Sequence, residues 1–317
     1  MKRRSFLAMA AVGSITQFLD EQSDSVQQID LAGNKVFYRR YGQGPPILML
    51  HGFPRTSLMW RLLAPKLAAD NTVICPDLRA YGRSGIPVSA DDHFPYPKRA
   101  MAKEMVDLMG KLGFPVFALI GHDRGGRVAY RMALDHPKNV ERLAVFDVIP
   151  ILEAWNRSDA RFDRTYWPWI LLSQQQPLPE SYLLGGPEAV FHNPFGQGFF
   201  GRENLEEYAS TYRDPARVHG ICEEYRAAAT VDVEHDRADK ETSRRIECPM
   251  LHLWAEGGPV DTFYTKDGDP AGHLAAVGAA RARTGDEGRP FLPGREPRRR
   301  CSFHRGVPRR VSSPQRR

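Results

Sequence analysis

The chain has 317 residues, of which 42% are apolar and 26% charged, so it is long enough for one large α/β domain or two small ones. No segment approaches the ~20 consecutive apolar residues of a membrane span, and we expect no membrane partner. The net charge of +6 comes from residues 271–317, where 12 arginines face three acidic residues. That stretch has no lysine and few aromatic residues, which argues against a nucleic-acid partner.

The first residues, 1–27, form a separate segment. A Lys-Arg-Arg triplet at 2–4 precedes Phe6 and Leu7 and a short run of small and apolar residues. Paired arginines in this context resemble a bacterial twin-arginine export signal, which directs a protein to the periplasm. The apolar run is modest and has no clean small-X-small cleavage site, so a disordered basic start of a cytoplasmic protein is the alternative.

From about residue 28 the pattern is that of a folded α/β domain. A hairpin turn signal at Gly33 and Asn34 separates two predicted strands, and apolar residues spaced by three and four predict later helices. Strands that alternate with helices indicate a mostly parallel sheet with helices on both faces. The predicted strands are 28–31, 35–39, 47–50, 72–75, 116–120 and 143–146, and the predicted helices are 57–69, 97–112 and 126–135.

The alternation stops after Pro150 and resumes with a predicted strand at 250–254. A helical segment inserted between two strands is most simply a lid over the carboxyl edge of the sheet, where open α/β sheets bind ligands. Within this segment the predicted helices are 160–173, 202–213 and 215–228. The resulting domains are a core over 28–150 and 246–270, a lid over 151–245, and a tail over 271–317.

Residues 121–126, Gly-His-Asp-Arg-Gly-Gly, carry the most informative motif. They lie between an apolar run and a helical pattern, where a small-X-nucleophile-X-small turn lifts one side chain above the sheet. The lifted group here is Asp123. We therefore expect alkyl transfer to a carboxylate rather than acyl transfer to a hydroxyl.

Three motifs together resemble the α/β-hydrolase fold and, more narrowly, the haloacetate (fluoroacetate) dehalogenases. They are His-Gly-Phe-Pro at 51–54, Asp-Leu-Arg-Ala-Tyr-Gly-Arg-Ser at 77–84, and the stretch 121–127. The first two mark the superfamily, whereas an Asp nucleophile followed by two arginines is the specific part. The resemblance covers roughly residues 30–269, with further support from Trp60 and from Cys-Glu-Glu-Tyr-Arg at 222–226. It implies a small carboxylate substrate and no cofactor, and a homodimer is compatible with it.

The resemblance also implies how the first chemical step is organised. Asp123 displaces halide to give an ester, which an activated water hydrolyses. Arg124 and Arg127, at the start of a helix, form a cationic pair suited to bidentate carboxylate capture. The backbone N–H groups of Phe53 and Arg124 form the oxyanion hole.

Further roles fall on the lid and on the sixth strand. The resemblance places halide donors at Trp169, through its indole N–H, and at Tyr225, through its phenol O–H. Asp147 follows the sixth strand, where the resemblance implies that it orients a catalytic histidine.

One departure from the family lies beside Trp169. Relatives have a histidine before this tryptophan, whereas this chain has Pro168, which has no donor. Because fluoride needs the strongest solvation of any halide, we expect bromo- or chloroacetate to react at least as well as fluoroacetate. An epoxide hydrolase is the alternative enzyme, since it shares the Asp nucleophile and uses lid tyrosines; Arg124 argues against it, while Tyr166, Tyr182 and Tyr225 favour it.

The histidine that hydrolysis of the ester requires is not evident after the predicted last strand. His273 comes too early, and His304 lies in an arginine-rich run. Synonymous codons can be chosen for residues 271–278 such that the reading frame shifted by one base encodes Leu-Ala-Ile-Trp-Gln-Gln-Trp-Ala. This shifted sequence is typical of the start of an amphipathic helix. The same shift turns residues 288–296 into Gly-Gly-His-Phe-Phe-Pro-Glu-Glu, the expected histidine motif.

Agreement of both stretches on one shift predicts a frameshift at about residue 270. Residues 271–317 are then an aberrant disordered tail, and the final strand, its covering helix and the catalytic histidine are missing. We expect such a chain to stop at the ester, or to be a non-catalytic truncated product. The four cysteines have neither metal-ligand spacing nor a disulfide framework, so we also expect free thiols and no metal.

Overall fold

The computed structural model describes residues 25–186, 190–191, 202–255 and 258–264. Residues 1–24 of the predicted export signal, the predicted tail, His273 and His304 lie outside these residues. The predicted boundary at residue 27 is wrong, because residues 25–27 already belong to the first strand. The predicted α/β-hydrolase fold is confirmed in the described part of the chain, with a mostly parallel sheet and an inserted set of helices.

A seven-stranded sheet, in the order β1-β2-β4-β3-β5-β6-β7, forms the centre of the molecule. β1 and β2 make the predicted hairpin, in which Gly33 takes a positive φ of 90° and donates its amide to Asp30. β2 also pairs antiparallel with β4, and the remaining pairs are parallel. The strands are β1 (Ser25–Leu31), β2 (Asn34–Tyr41), β3 (Pro46–Leu50), β4 (Thr72–Pro76), β5 (Phe117–His122), β6 (Val140–Phe146) and β7 (Met250–Leu253).

The central strands are buried on both faces, which explains their continuous apolar runs. Successive side chains of a strand point to opposite faces. Leu48 and Leu50 of β3 accordingly pack into the larger of two apolar cores, and Ile47 and Met49 into the smaller. The parallel strands thus end together at one edge, where the candidate site lies.

The helices of the core differ from the prediction at two places, of which one is the helix Pro259–Tyr264, which was not predicted. The helix expected over 57–69 is a 3₁₀ helix, Ser57–Trp60, followed by a separate short α-helix, because Thr56 caps the first and Pro65 is tolerated only in the first turn of the second. The α-helices of the core are α1 (Ala64–Leu67), α2 (Lys98–Lys111), α3 (Arg124–Asp135) and, after β7, α11 (Pro259–Tyr264).

The inserted lid contains more helices than the sequence pattern predicted. The single helix expected over 160–173 is broken at Tyr166, because Pro168 begins a new helix. Three helices, α4, α7 and α10, were missed. The lid helices are α4 (Ile151–Asn156), α5 (Ala160–Thr165), α6 (Trp167–Leu172), α7 (Leu178–Leu184), α8 (Arg202–Thr211), α9 (Pro215–Ala229) and α10 (Val231–Glu241).

Helix α10 escaped prediction because its buried face is acidic rather than apolar. Asp232, Asp236 and Asp239 are all buried, at helical spacing. Arg131 of α3 donates to Asp236 at 2.7 Å and also pairs with Asp239. Asp236 further accepts from the Tyr130 hydroxyl at 2.9 Å. Buried charge pairs therefore replace the apolar stripe that usually reveals a helix.

Helix α9 packs very closely on the core. A Cβ atom added at Gly220 would lie 2.7 Å from the Cβ of Ala80 and 2.6 Å from the hydroxyl of Tyr96. None of the helices in the described residues is long and apolar enough to cross a membrane.

Replacing Arg131 with methionine should destabilise the fold strongly. The change leaves the buried Asp236 without its cation and Asp239 with only Arg244, 3.3 Å away and 39% exposed. Breaking a buried pair from one side typically costs about 3–5 kcal/mol. Urea unfolding of Arg131→Met measures this loss. The matched control is Arg99→Met, whose side chain is 44% exposed in its pair with Asp135 and whose loss should be below about 1 kcal/mol. Equal losses in the two variants would contradict the role of Arg131.

Candidate active site

Asp123 sits at the apex of the turn between β5 and α3. Its φ is 48°, in the left-handed region that non-glycine residues rarely occupy. Glycines on both sides make room for this turn. A Cβ at Gly121 would lie 2.5 Å from the carbonyl oxygen of Gly125, and one at Gly125 would lie 2.3 Å from that of His51. The spacing of small residues in the motif is therefore a steric requirement.

The Asp123 carboxylate is held by two donors and remains accessible. Its Oδ1 accepts the backbone N–H of Phe53 at 3.1 Å, and its Oδ2 accepts from Nη1 of Arg127 at 3.2 Å. The side chain is 21% exposed, against 3% for that of Arg127. Asp123 is thus an oriented carboxylate that a small ligand can reach.

The loop that carries Phe53 is fixed by the second sequence motif. Asp77 accepts the backbone amides of Ser57 at 2.7 Å and of Arg83 at 2.9 Å. His51 Nε2 accepts the amide of Leu78 at 2.9 Å. The motifs at 51–54 and 77–84 therefore place the Phe53 amide against Asp123.

Arg124 forms more hydrogen bonds within the protein than the sequence analysis predicted. It is fully buried, its Nε donates to Glu224 Oε1 at 2.8 Å, and its Nη2 donates to the Glu224 carbonyl at 3.1 Å. The guanidinium carbon lies 3.9 Å from the centre of the Tyr225 ring. We expected the whole guanidinium to be available to a ligand. Only Nη1, a buried nitrogen, has no hydrogen-bond partner in the described part of the chain.

Arg127 is the second member of the cationic pair. Its Nη1 binds Asp123, while its Nε is buried with no partner among the described residues. The guanidinium carbons of Arg127 and Arg124 lie 4.5 and 5.5 Å from the Trp169 ring centre. Each arginine therefore offers one unpaired nitrogen beside the same indole ring.

Sequence reasoning missed the buried carboxylate that orients Arg124. Glu224 contacts Lys98 Nζ at 2.5 Å, and Lys98 also lies 3.5 Å from Asp232. Burial alone would raise the pKa of Glu224, but Arg124 and Lys98 outweigh it and hold this pKa at about 2. The motif at 222–226 contained the signal, although only Tyr225 was singled out from it.

The two predicted lid donors face the same region. Trp169 is 2% and Tyr225 3% exposed. The Tyr225 ring stands edge-on to Phe53, with centroids 5.6 Å apart. Burial raises the pKa of Tyr225 well above its usual value, so its hydroxyl keeps its proton and can donate. The structure thus brings Asp123, Arg124, Arg127, Trp169 and Tyr225 into one cluster through direct contacts.

Asp147 lies at the end of β6, beside the end of the strand that leads to Asp123. Its Oδ1 accepts the backbone N–H of Ala255 at 2.9 Å, whereas Oδ2 is buried with no partner in the described residues. Burial raises the pKa of Asp147 to about 7, the Ala255 amide acts against this rise, and the charge of Asp123 adds to it. One oxygen of Asp147, Oδ2, therefore lacks a donor in the described part of the chain.

The histidines flanking the turn are poor bases. His51 uses Nε2 to accept from Leu78, and its Nδ1 lies 3.2 Å from the Gly52 carbonyl. Burial lowers the pKa of His51 and lowers that of His122 to about 3, with the charge of Arg55 adding to the effect at His122. Within the described residues, no group of histidine, cysteine and acidic side chains is placed to hold a metal ion.

Comparison with known proteins gave one family model and several relatives. The model described as alpha/beta hydrolase fold matches residues 45–171. A fluoroacetate dehalogenase from Burkholderia sp. is 44% identical over 229 residues, which are 70% of this chain and 75% of the relative. A soluble epoxide hydrolase from Corynebacterium sp. (strain C12) is 31% identical over 66% of this chain and 74% of the relative. A Nostoc sp. PCC 7120 protein assigned as an alpha/beta hydrolase superimposes with a TM-score of 0.77 at 36% identity, over 82% of this chain and 89% of that chain.

Replacing Glu224 with glutamine should change how stability depends on acid. The folded-state pKa of Glu224 lies at about 2, against 4.5 for the free group. The difference corresponds to about 3 kcal/mol of stabilisation, present above pH 4.5 and lost as the pH falls towards 2. Unfolding curves between pH 2 and 7 should show that Glu224→Gln is less stable at pH 7 and loses less on acidification than the parent.

The control for this experiment is Glu141→Gln, at an exposed position on β6. Its acid profile should match that of the parent. A Glu224→Gln profile parallel to the parent profile would show that the buried pair carries no charge linkage.

Proposed function

The chain belongs to the α/β-hydrolase family, and we propose that within this family it is an aspartate-nucleophile hydrolase that releases halide from short 2-halo acids. The observation that carries the proposal is the contact of Asp123 with Arg127, beside a second buried arginine and under two lid residues that bear polar hydrogens. The Burkholderia relative, a fluoroacetate dehalogenase, supports the same substrate class.

The substrate carboxylate would bind between the two arginines. Arg124 Nη1 and Arg127 Nε are the nitrogens that lack partners among the described residues. A carboxylate with two oxygens satisfies two such donors, and charge-assisted hydrogen bonds of this kind are roughly twice as strong as neutral ones. Glu224 and Lys98 hold Arg124 in place, so binding requires little rearrangement of that side chain.

The first half-reaction is a displacement at the carbon that bears the halogen. An oxygen of Asp123 donates an electron pair to this carbon, and the carbon–halogen bond breaks with its pair on the halide. No proton moves in this step. The product is an ester of Asp123, and in this proposal the polar hydrogens of Trp169 and Tyr225 solvate the departing anion.

The second half-reaction needs a base that delivers water to the ester carbonyl. General-base assistance is typically worth about 10²–10⁴-fold. We propose that the base is a histidine oriented by Asp147, whose Oδ2 lacks a donor among the described residues. We further propose that the shifted reading frame after about residue 270 removes this histidine, so that the chain as written stops at the ester.

An epoxide hydrolase is the second candidate function, favoured by the Corynebacterium relative and by the Tyr225 hydroxyl. The geometry of the lid supports it less well. Tyr182 is 41% exposed and packs against Trp167, and Tyr166 packs against Phe162. A neutral epoxide would also leave the unpaired arginine nitrogens without a partner.

Incubation with haloacetates should leave a carboxymethyl group on Asp123 with stoichiometric release of halide and no further turnover. Bromo- and chloroacetate should react at least as fast as fluoroacetate, because their carbon–halogen bonds are weaker and their halides need less solvation. Peptide mass spectrometry locates the adduct, and ion chromatography counts the halide. Asp123→Asn is the control, and it should release none.

Two results would redirect this proposal. Formation of diol from styrene oxide without any halide release would favour the epoxide hydrolase. Sustained turnover of a haloacetate by the 317-residue chain would show that a base is present, with His273 as the first candidate. Sequencing the gene across codon 270 tests the shift itself.

Replacing Asp147 with asparagine tests whether the base is present. With its pKa raised from 3.8 to about 7, Asp147 stays protonated in the folded chain where it would ionise in the unfolded chain. Stability therefore falls as the pH rises from about 4 to 7. Asp147→Asn should be more stable than the parent at pH 8, by about 4 kcal/mol, and equal to it at pH 4.

Thermal or urea unfolding at these two pH values provides the measurement. A partner histidine would reverse the sign, because it would stabilise the ionised carboxylate that asparagine cannot supply. Lower stability of Asp147→Asn at pH 8 would thus indicate a working base outside the described residues.

A further inference from the structure

The hydroxyl group of Tyr212 is a buried polar group without a hydrogen-bond partner among the described residues. Its residue has 0% exposure. More than about 90% of buried polar groups in native proteins are hydrogen-bonded, and strain, a catalytic role or a bound water or ion are the usual reasons for an exception. The unpaired hydroxyl of Tyr212 therefore raises the question of which chemical group it binds.

Tyr212 borders the candidate active site. Its ring stands edge-on to that of Phe53, with centroids 5.9 Å apart, and Phe53 in turn contacts Tyr225. The amide of the same Phe53 binds Asp123. Tyr212 and Tyr225 thus pack on one aromatic ring whose backbone holds the nucleophile.

The position of Tyr212 is fixed from both sides. It directly follows α8, and its amide donates to the carbonyl of Ala209 at 3.0 Å. The preceding residue, Thr211, accepts the amide of Gly82 at 3.1 Å and so ties this end of α8 to the core. The ring also contacts Phe191, with centroids 5.8 Å apart. The hydroxyl is therefore held in place rather than free to seek a partner.

The electrostatic surroundings keep this hydroxyl protonated. Burial raises the pKa of Tyr212 well above its usual value, and the nearby Tyr225, Cys222, Glu224 and Asp123 raise it further. At neutral pH the group is a hydrogen-bond donor. An anion that appears close to Asp123 during the reaction is the natural acceptor.

We propose that the Tyr212 hydroxyl donates a hydrogen bond to the departing halide and replaces the donor that Pro168 cannot provide. This inference rests on the proposed dehalogenation. While the Asp123 oxygen bonds to carbon and the halide leaves with the electron pair of the broken bond, Tyr212 keeps its proton. Fluoride, the smallest and most strongly solvated halide, gains most from this contact.

Halide binding to the intact chain tests the contact without any chemistry. Fluorine NMR titration with fluoride and calorimetric titration with bromide compare the parent with Tyr212→Phe. Loss of one neutral hydrogen bond should raise the fluoride dissociation constant about fivefold to tenfold, and that of bromide less. Unchanged binding in Tyr212→Phe, or no halide binding by the parent, would overturn the proposal.

The matched control is Tyr38→Phe. Tyr38 is also buried but lies on β2, and its hydroxyl donates to Gln27. Its halide affinities should equal those of the parent. The two variants should also differ in the sign of their thermal shift. Tyr212→Phe removes an unpaired buried hydroxyl and should melt about 2 °C higher, whereas Tyr38→Phe loses a hydrogen bond and should melt lower. A lower melting temperature for Tyr212→Phe would assign its hydroxyl a structural role and overturn the proposal.

Single-turnover formation of the Asp123 ester separates this inference from the proposed function. In Tyr212→Phe the rate with fluoroacetate should fall about tenfold or more, and the rate with bromoacetate less than about threefold. An equal fall with both substrates would mean that Tyr212 only shapes the pocket. If the parent forms no ester but binds halide through Tyr212, the dehalogenase proposal fails while the donor role stands.

Discussion

The buried ion pair between Arg124 and Glu224 connects the nucleophile to the lid. Arg124 directly follows Asp123, whereas Glu224 lies 100 residues further along the chain, in α9. Both side chains are buried, so separating them would leave an uncompensated buried charge, which is strongly unfavourable. Because Tyr225 follows Glu224, the same pair sets this ring against the guanidinium. A pair of apolar side chains could hold the helices together as well. The ion pair adds the orientation of one arginine nitrogen towards the site.

Local patterns identified most of the sheet and the nucleophile, because both depend on neighbouring residues. The apolar runs of β3 to β6 and the glycines around Asp123 are signals of this kind. Glu224 and Lys98 were missed, since their value comes from contacts between residues far apart in sequence. Helix α10 was missed for a related reason, because its aspartates are buried against Arg131, which is distant in sequence. Periodicity detects apolar burial, whereas these elements are held by paired charge.

Several buried atoms around Asp123 share one property. Arg124 Nη1, Arg127 Nε, Asp147 Oδ2 and the Tyr212 hydroxyl have no hydrogen-bond partner among the described residues. Each unpaired buried atom lowers the stability of the ligand-free protein. On the proposed function, their partners would be two carboxylate oxygens, an N–H donor and an anion. Such a site would be organised before its ligand binds, and the free energy recovered on binding would appear as affinity and as ligand-induced stability.

The close approach of α9 to the core at Gly220 bears on how ligands enter and leave. A side chain at this position would clash with Ala80 and Tyr96, and Lys98 of α2 pairs with Glu224 of α9 and lies 3.5 Å from Asp232 of α10. Movement of α9 away from the core would break these buried charge contacts, which is unfavourable. On the proposed function, we therefore expect the exchange of ligands at Asp123 to depend more on the shorter lid helices, such as α6 and α7, than on α9.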